Sequence, residues 1–192
     1  MLRNNKKPGD LNPKWCYRVL DVGISLDADW GFRESFDRDY GWFRVPPTSG
    51  SFSMSVSVRL GRKDPIVRIN KEDFLLKGHP APETYAHQII LRELFRDIRG
   101  FFLLHAAVAG KSGKALIVAG PPGAGKTTLV LRLLKKGYAF FSDDLCPMHL
   151  ETRMVHPFPR SIWISEADPK PGKVRLRGGK APIRPNELGV GI

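Results

Sequence analysis

The chain has 192 residues, 42% of them hydrophobic and 26% charged, and a formal net charge of +12. These proportions are typical of a folded globular protein and exclude a disordered or fibrous chain. The two cysteines, Cys16 and Cys146, belong to no CxxC or Cys/His cluster. The sequence therefore argues against a disulfide scaffold and a structural zinc site, and it favours a reducing compartment.

The apolar and basic patterns favour a cytoplasmic protein that does not contact membranes. No stretch approaches the roughly 18 apolar residues of a membrane span, and no apolar segment follows the basic start MLRNNKKPGD. A basic balance favours polyanionic partners in general. However, the basic residues are spread along the chain, and the group between Lys170 and Arg184 lies in a Pro/Gly-rich segment typical of a solvated tail. Nucleic acid is therefore not the expected partner.

The pattern along the chain indicates four regions. We expect a flexible lead-in at 1–14, a β-rich N-terminal region at 15–80, an α/β core at 81–165, and a basic Pro/Gly-rich tail or truncated remainder of the core at 166–192. The clearest strand signal is SFSMSVSVRL, where every second residue from Phe52 to Leu60 is apolar. Further strands of the β-rich region are expected in YRVLDVGISL, GWFRV and PIVRI.

A helix is predicted to begin after Pro82 and to run to about Arg99, with Gly100 as its stop. Its apolar stripe has the spacing i, i+3, i+4, i+7 and consists of Leu91, Leu94, Phe95 and Ile98. His87 lies inside this helix, and we interpret it as a partly exposed helical residue rather than a site residue.

The segment from Phe101 to Leu145 is predicted to form strand, turn, strand, loop, helix and strand. Its first turn, Gly110 to Gly113, is typical of a β-hairpin. A helix from Lys126 is expected to end at Gly137 and to present one apolar face, made of Leu129, Val130, Leu133 and Leu134. A buried strand, Tyr138 to Phe141, then leads to Ser142, Asp143 and Asp144.

The loop of this segment, GPPGAGKT, matches the P-loop pattern G-x-x-x-x-G-K-[ST] (Walker A). Glycines let backbone N–H groups turn toward phosphates, and the helix that follows points its positive end at the same anion. We expect Lys126 to reach the β- and γ-phosphates and Thr127 to place its hydroxyl on Mg²⁺. The sequence thus predicts binding of a nucleoside triphosphate, ATP with Mg²⁺, by Gly120, Pro121, Pro122, Gly123, Ala124, Gly125, Lys126, Thr127 and Thr128.

Two acids, Asp143 and Asp144, directly follow the predicted strand. A parallel α/β arrangement would place them beside the phosphate loop. One carboxylate can hold Mg²⁺ and the other can accept a proton from an attacking hydroxyl. Both are candidate catalytic residues, and Asp144 joins Thr127 as a candidate metal ligand, although the residues leave open which acid is the base.

His105 is a further candidate catalytic residue. If GKSG is the hairpin turn, Ala109 faces Lys114 and His105 faces Val118. This register would place the histidine across from the strand end that leads into Gly120.

The run from Leu103 to Leu145 resembles the catalytic domain of HPr serine kinase/phosphorylase and its relatives, whose core is similar to phosphoenolpyruvate carboxykinase. The resemblance rests on His105, on Gly120 to Thr127, and on the Asp143–Asp144 pair. It implies an α/β fold with a mixed sheet around the P-loop. It also implies one aspartate as general base, its neighbour on the metal, and the histidine near the γ-phosphate or the metal.

The chain also departs from that family. The family's Glu- and Arg-rich second motif has no good counterpart after Arg153, where KVRLRGGKAP lacks the acid. The sequence closes on PNELGVGI without a final helix or strand, as expected of a truncated or shortened member. Phosphorylase activity, HPr as the substrate and the family's hexameric assembly are therefore not carried over, and self-association stays open.

Together these features predict an ATP-dependent, kinase-like phosphotransferase acting on a hydroxyl, the serine of a protein or peptide. The alternative is a non-catalytic ATP-binding accessory or sensor module, which the missing second motif favours. Carboxykinase chemistry would need further basic and metal-binding residues upstream. Nucleic-acid binding by the basic tail would show steep salt dependence.

Overall fold

The computed structural model describes residues 15–61, 63–160, 162–164 and 181–183. The predicted lead-in, 1–14, and all of the predicted tail except 181–183 lie outside the described residues. The strands are β1 Trp15–Val19, β2 Val22–Ala28, β3 Arg44–Val45, β4 Met54–Arg59, β5 Ile66–Ile69, β6 Glu72–Leu75, β7 Phe101–Leu104, β8 Ala106–Lys111, β9 Lys114–Ala119, β10 Ala139–Ser142, β11 Cys146–His149, β12 Ile162–Ile164 and β13 Ala181–Ile183. The helices are α1 Trp30–Tyr40, α2 Pro82–Asp97 and α3 Lys126–Leu134, with a 3₁₀ turn at Gly41–Phe43.

The described residues form two units. Unit 1 contains 15–37 and 43–98, and unit 2 contains 38–42 and the residues from 99 onward. Helix α2 therefore belongs with the β-rich region, whereas the sequence grouped it with the core at 81–165. The last residues of α1 belong to unit 2. None of the helices in the described part of the chain is both long and apolar enough to cross a bilayer.

Unit 1 is built on a six-stranded sheet with the order β3-β1-β2-β4-β5-β6. Strands β2 and β4 run parallel and the other pairs are antiparallel. The β-rich N-terminal region is thus confirmed. The mixed sheet lies in this unit, whereas the three-stranded sheet that leads into the GPPGAGKT loop has two antiparallel pairings. The predicted alternation is present in β4, where Met54, Val56 and Val58 are buried and Ser55 is exposed.

Two helices complete unit 1. Helix α1 was not predicted from the sequence. Its apolar residues Phe32, Phe36 and Tyr40 recur every four positions and are all buried. The helix predicted to begin after Pro82 is confirmed as α2, which begins at Pro82 and ends at Asp97, but its buried face is Ala86, Ile89, Ile90 and Leu94. His87 packs on the rings of Phe32 and Phe36, which agrees with a structural role.

Unit 2 has a three-stranded sheet with the order β10-β8-β9, in which both pairings are antiparallel. Ala107 of the central strand packs with α3 through Val130 and Leu134, while Ala106 packs on the opposite face near Cys146. Small side chains suit a strand covered on both faces. The predicted apolar face of α3 is only partly correct, since Leu129 is 42% exposed.

The direction of these strands determines where the loops meet. Because β9 and β10 both run opposite to β8, they run parallel to each other with β8 between them. Their carboxyl ends therefore lie at the same edge of the sheet. The sequence analysis assumed a parallel arrangement of strands. In the structure, the two loops lie at the same edge because both strands pair antiparallel with β8.

The strand predicted from Phe101 is divided at His105. Strand β7 before it pairs with β11, and β8 after it pairs with β9 and β10. A further two-stranded sheet joins β12 to β13, which lies within the predicted tail.

The hairpin register differs from the predicted one by two residues. Lys111 faces Lys114, and the turn consists of Ser112 and Gly113 with φ of 51° and 72°. Two residues with positive φ make the primed turn that suits a two-residue hairpin. Val118 accordingly faces Ala107 instead of His105. A two-residue shift keeps each side chain on its face of the sheet, and His105 lies one residue beyond the last ladder pair.

Gly110 of β8 supports this sheet because Phe141 lies directly over it. A Cβ at Gly110 would meet two ring atoms of Phe141 at 2.5 and 2.7 Å. We expect Gly110→Ala to lower the free energy of unfolding by about 1–3 kcal/mol, the usual cost of overpacking, in urea denaturation. Gly31→Ala in α1 is the control, since nothing lies within 4 Å of its Cβ, and it should stabilise by about 0.5–1 kcal/mol. Equal effects of the two substitutions would contradict this account of Gly110.

Candidate functional site

A glycine-rich loop connects β9 to α3. Gly123 and Gly125 have φ of 80° and 83°, a backbone region that favours glycine. Helix α3 begins at Lys126 directly after Gly125, and no side chain caps its N-terminus. The residues Pro121, Pro122, Gly123, Ala124 and Gly125 are exposed. The first turn of a helix carries N–H groups without intrahelical acceptors, so this end of α3 suits an anion.

Lys126 folds back over the loop. Its Nζ donates to the carbonyl oxygens of Gly120 at 2.8 Å and Pro121 at 3.2 Å. Its charge also lowers the pKa of Asp143, although other effects on that group are larger. The ammonium group therefore contacts the loop and lies within electrostatic reach of Asp143.

A buried serine shapes the turn that carries those acids. Ser142, the last residue of β10, accepts hydrogen bonds at Oγ from the backbone N–H groups of Leu145 at 3.0 Å and Asp144 at 3.3 Å. Such a turn is common for serine. It holds Asp143 and Asp144 at the sheet edge where the glycine-rich loop begins.

Asp143 is the acid of this turn whose pKa departs from its ordinary value. Burial, followed by the neighbouring charge of Asp144, raises its pKa to about 7. Arg160, the backbone N–H of Asp143 and Lys126 act in the opposite direction with smaller effect. A carboxyl group that titrates near neutral pH can accept and release a proton under physiological conditions.

Asp144 is held by ionic and hydrogen-bonding partners. Its Oδ2 lies 3.5 Å from Nη1 of Arg160, and its Oδ1 accepts a hydrogen bond of 3.4 Å from the Ser142 hydroxyl. Each carboxylate oxygen has two acceptor positions, so capacity for a metal ion remains.

His105 lies beside the same turn. Its Nδ1 is 2.8 Å from the backbone oxygen of Asp144. A carbonyl oxygen can only accept, so Nδ1 of His105 carries the hydrogen of this bond. The histidine therefore contacts the acid turn and not Val118, the residue that the predicted register placed opposite it.

Arg160 is a site residue that the sequence reasoning missed. It is brought to the acids by the segment after β11, where the N–H of buried Phe158 donates to the oxygen of Phe141 at 2.9 Å. No motif or local spacing links Arg160 to Asp144, sixteen residues earlier in the chain. Ser142 could have been found, because a Ser-Asp-Asp sequence after a strand is typical of a hydrogen-bonded turn.

The structure thus brings four predicted residues together at one edge, namely His105, Lys126, Asp143 and Asp144. Thr127 and Thr128 are half-buried on the first turn of α3. In the described part of the chain, no three His, Cys, Asp or Glu side chains are grouped so as to hold a metal ion by themselves.

Comparisons with known proteins give no relative for this site. No protein-family model matches the chain, and no significant match occurs among the curated proteins or the solved structures.

The raised pKa of Asp143 predicts a pH-dependent stability difference. With a native pKa of about 7 and an unfolded value of about 3.9, the native state binds more protons between these values. The stabilisation that results from the raised pKa of Asp143 is therefore fully present below pH 4 and is lost as the pH rises through 7. We expect Asp143→Asn to match the native chain at pH 4 and to exceed its free energy of unfolding by about 1–2 kcal/mol at pH 8, after allowance for partial exposure.

The matched control is Asp144→Asn, measured by urea unfolding over the same pH range. It removes the ionic partner of Arg160, whose side chain is only 19% exposed. The expected result at pH 8 is therefore a loss of stability. A loss at pH 8 in Asp143→Asn as well would contradict the raised pKa.

Proposed function

We propose that the chain is an ATP-dependent phosphotransferase that binds Mg·ATP on the glycine-rich loop and transfers phosphate to a hydroxyl, the serine of a protein or peptide. This is the chemistry of the HPr kinase-related enzymes that Leu103 to Leu145 resembles. One observation carries the proposal: β9 and β10 end at the same sheet edge, so the loop with Lys126 and the turn with Asp143 and Asp144 leave the sheet together, and Lys126 acts electrostatically on Asp143.

The loop suits a polyphosphate. It combines an uncapped helix N-terminus with exposed glycines that adopt positive φ. Lys126 is bound to the neutral carbonyl oxygens of Gly120 and Pro121, and phosphate oxygens would be stronger acceptors for its ammonium group. The loop would bind only the phosphates of the nucleotide. Recognition of the nucleotide base would depend on other residues.

The residues also suit Mg²⁺ that arrives with the nucleotide. Magnesium keeps several waters and is usually bound through one or two protein oxygens plus substrate phosphates. Thr127 and Asp144 supply a hydroxyl and a carboxylate of this kind. When bound, the ion would offset negative charge on the phosphates.

Between the two acids we assign Asp143 as the general base, because its raised pKa suits proton transfer near neutral pH. Its carboxylate takes the proton of the acceptor hydroxyl, whose oxygen forms the new bond to the γ-phosphorus as the bond to ADP breaks. Lys126 would offset the negative charge that shifts toward ADP in this step. Positioning and electrostatics supply most of the rate enhancement in such reactions.

Removal of the loop lysine gives the first test of this function. We expect Lys126→Ala to reduce ATP consumption, measured as ADP formation, by roughly 100-fold or more, because a charged donor to the phosphates is lost. Lys135→Ala, at an exposed position just after α3, is the control and should retain activity. Circular dichroism should show an unchanged fold in both variants, and unaltered ADP formation in Lys126→Ala would refute the assignment.

A second test separates catalysis from nucleotide sensing, the alternative favoured by the missing second motif. We expect Asp143→Asn to bind Mg·ATP as the native chain does, but to lose transfer of labelled phosphate from ATP to serine peptides, since the base is absent. Glu151→Gln, exposed in the turn after β11, is the charge-matched control. Tight nucleotide binding by the native chain without ADP formation or transfer would favour the sensor module instead.

A further inference from the structure

Arg160 is a largely buried cation at the edge of the acid turn. Its side chain is 19% exposed, and its Nη1 lies 3.5 Å from Oδ2 of Asp144. Its Nε is buried and has no hydrogen-bond partner among the described residues. Among the described residues, its ion pair is the one with Asp144, and a buried ion pair is by itself weak evidence for a role in stability.

The second contact of Arg160 comes from the end of α1. Its guanidinium carbon lies 5.3 Å from the ring centroid of Tyr40, a residue that is only 3% exposed. A cation over an aromatic ring is held at the ring face, which leaves the edges of the guanidinium plane for hydrogen bonds. The charge of Asp39 also acts on Arg160. Arg160 is thus fixed between Tyr40 and Asp144.

We propose that Arg160 is a positioning residue, which is held by the ring of Tyr40 and fixes the carboxylate of Asp144 for ligation of the Mg²⁺ that accompanies the nucleotide. This inference rests on the proposed function. Oδ1 of Asp144 is oriented by the Ser142 hydroxyl and Oδ2 by Arg160, so both oxygens have a partner that limits rotation of the carboxylate. Partners of this kind tune the affinity of the ligands that they orient.

If Arg160 is a positioning residue, its removal changes metal affinity in the opposite direction from that expected if it contributes only a positive charge. If Arg160 orients Asp144, its removal weakens metal binding, because the carboxylate loses its fixed direction. If Arg160 only contributes positive charge, its removal tightens the binding of a cation, because a repulsive charge is lost. The sign of the change in metal affinity therefore distinguishes the two roles.

The experiment titrates Mn²⁺, as a paramagnetic substitute for Mg²⁺, into the full chain saturated with a non-hydrolysable ATP analogue. We expect Arg160→Met to weaken Mn²⁺ binding by about 10- to 100-fold, while affinity for the metal-free analogue changes by less than about twofold. Arg160→Lys should recover part of the loss. Unchanged or tighter Mn²⁺ binding in Arg160→Met would overturn the proposal.

The contribution of Tyr40 is tested in a double-mutant cycle with the same titration. Tyr40→Leu should weaken Mn²⁺ binding in the native background and have no further effect in Arg160→Met, because Tyr40 acts through Arg160. Tyr40→Phe keeps the ring and should behave as the native chain. Additive effects in the double variant would show that Tyr40 does not act through Arg160.

The outcomes also separate this inference from the proposed function. A native chain that binds no ATP analogue would overturn both. A native chain that binds the analogue and Mn²⁺, with Arg160→Met indistinguishable from it, would overturn only the role of Arg160.

Discussion

The antiparallel pairing of β8 with a strand on each side determines where the candidate chemistry lies. Because β9 and β10 both run against β8, the glycine-rich loop and the acid turn leave the sheet at the same edge, although their strands are not neighbours. His105 precedes β8 at that edge as well. The arrangement depends on the small residues of β8, since α3 packs on Ala107 and Phe141 lies over Gly110. A larger side chain at Ala107 would push α3 away from the sheet, and one at Gly110 would displace the ring of Phe141.

Features with a local cause could be predicted from the sequence. The loop, the start of α3 and its stop at Gly137 follow from glycines and apolar spacing within a few residues of each other, and Gly137 has φ of 78°. The acids after β10 follow from an apolar strand that ends in Ser-Asp-Asp. The placement of these acids at the edge of the loop was inferred from a parallel direction of the two strands, which the structure has, although β8 lies between them. Both arrangements place the carboxyl ends of the two strands at one edge.

Features with a distant cause could not be predicted in this way. The hairpin register depends on the positive φ of Ser112. A serine at this position indicates a two-residue turn less clearly than Asn-Gly does. Arg160 reaches the site only because the backbone of Phe158 pairs with Phe141. Tyr40 belongs to a helix whose apolar residues recur every four positions, a signal that was present in the sequence but lay among strand-like runs. Contacts between residues that are far apart along the chain produce no periodic pattern in the sequence.

The charges at this edge explain why a triphosphate would need its own divalent cation here. Lys126 and Arg160 balance Asp143 and Asp144 when both acids are ionised, and burial raises the pKa of Asp143 to about 7. A triphosphate without metal would add negative charge beside Asp143 and draw Lys126 away to the phosphate oxygens. Both effects raise the pKa of Asp143 further and keep it protonated, so that it could not accept a proton. In the proposed function, a cation held by Asp144 would act in the opposite direction, and the orientation of Asp144 by Arg160 would then help to keep the proposed base available.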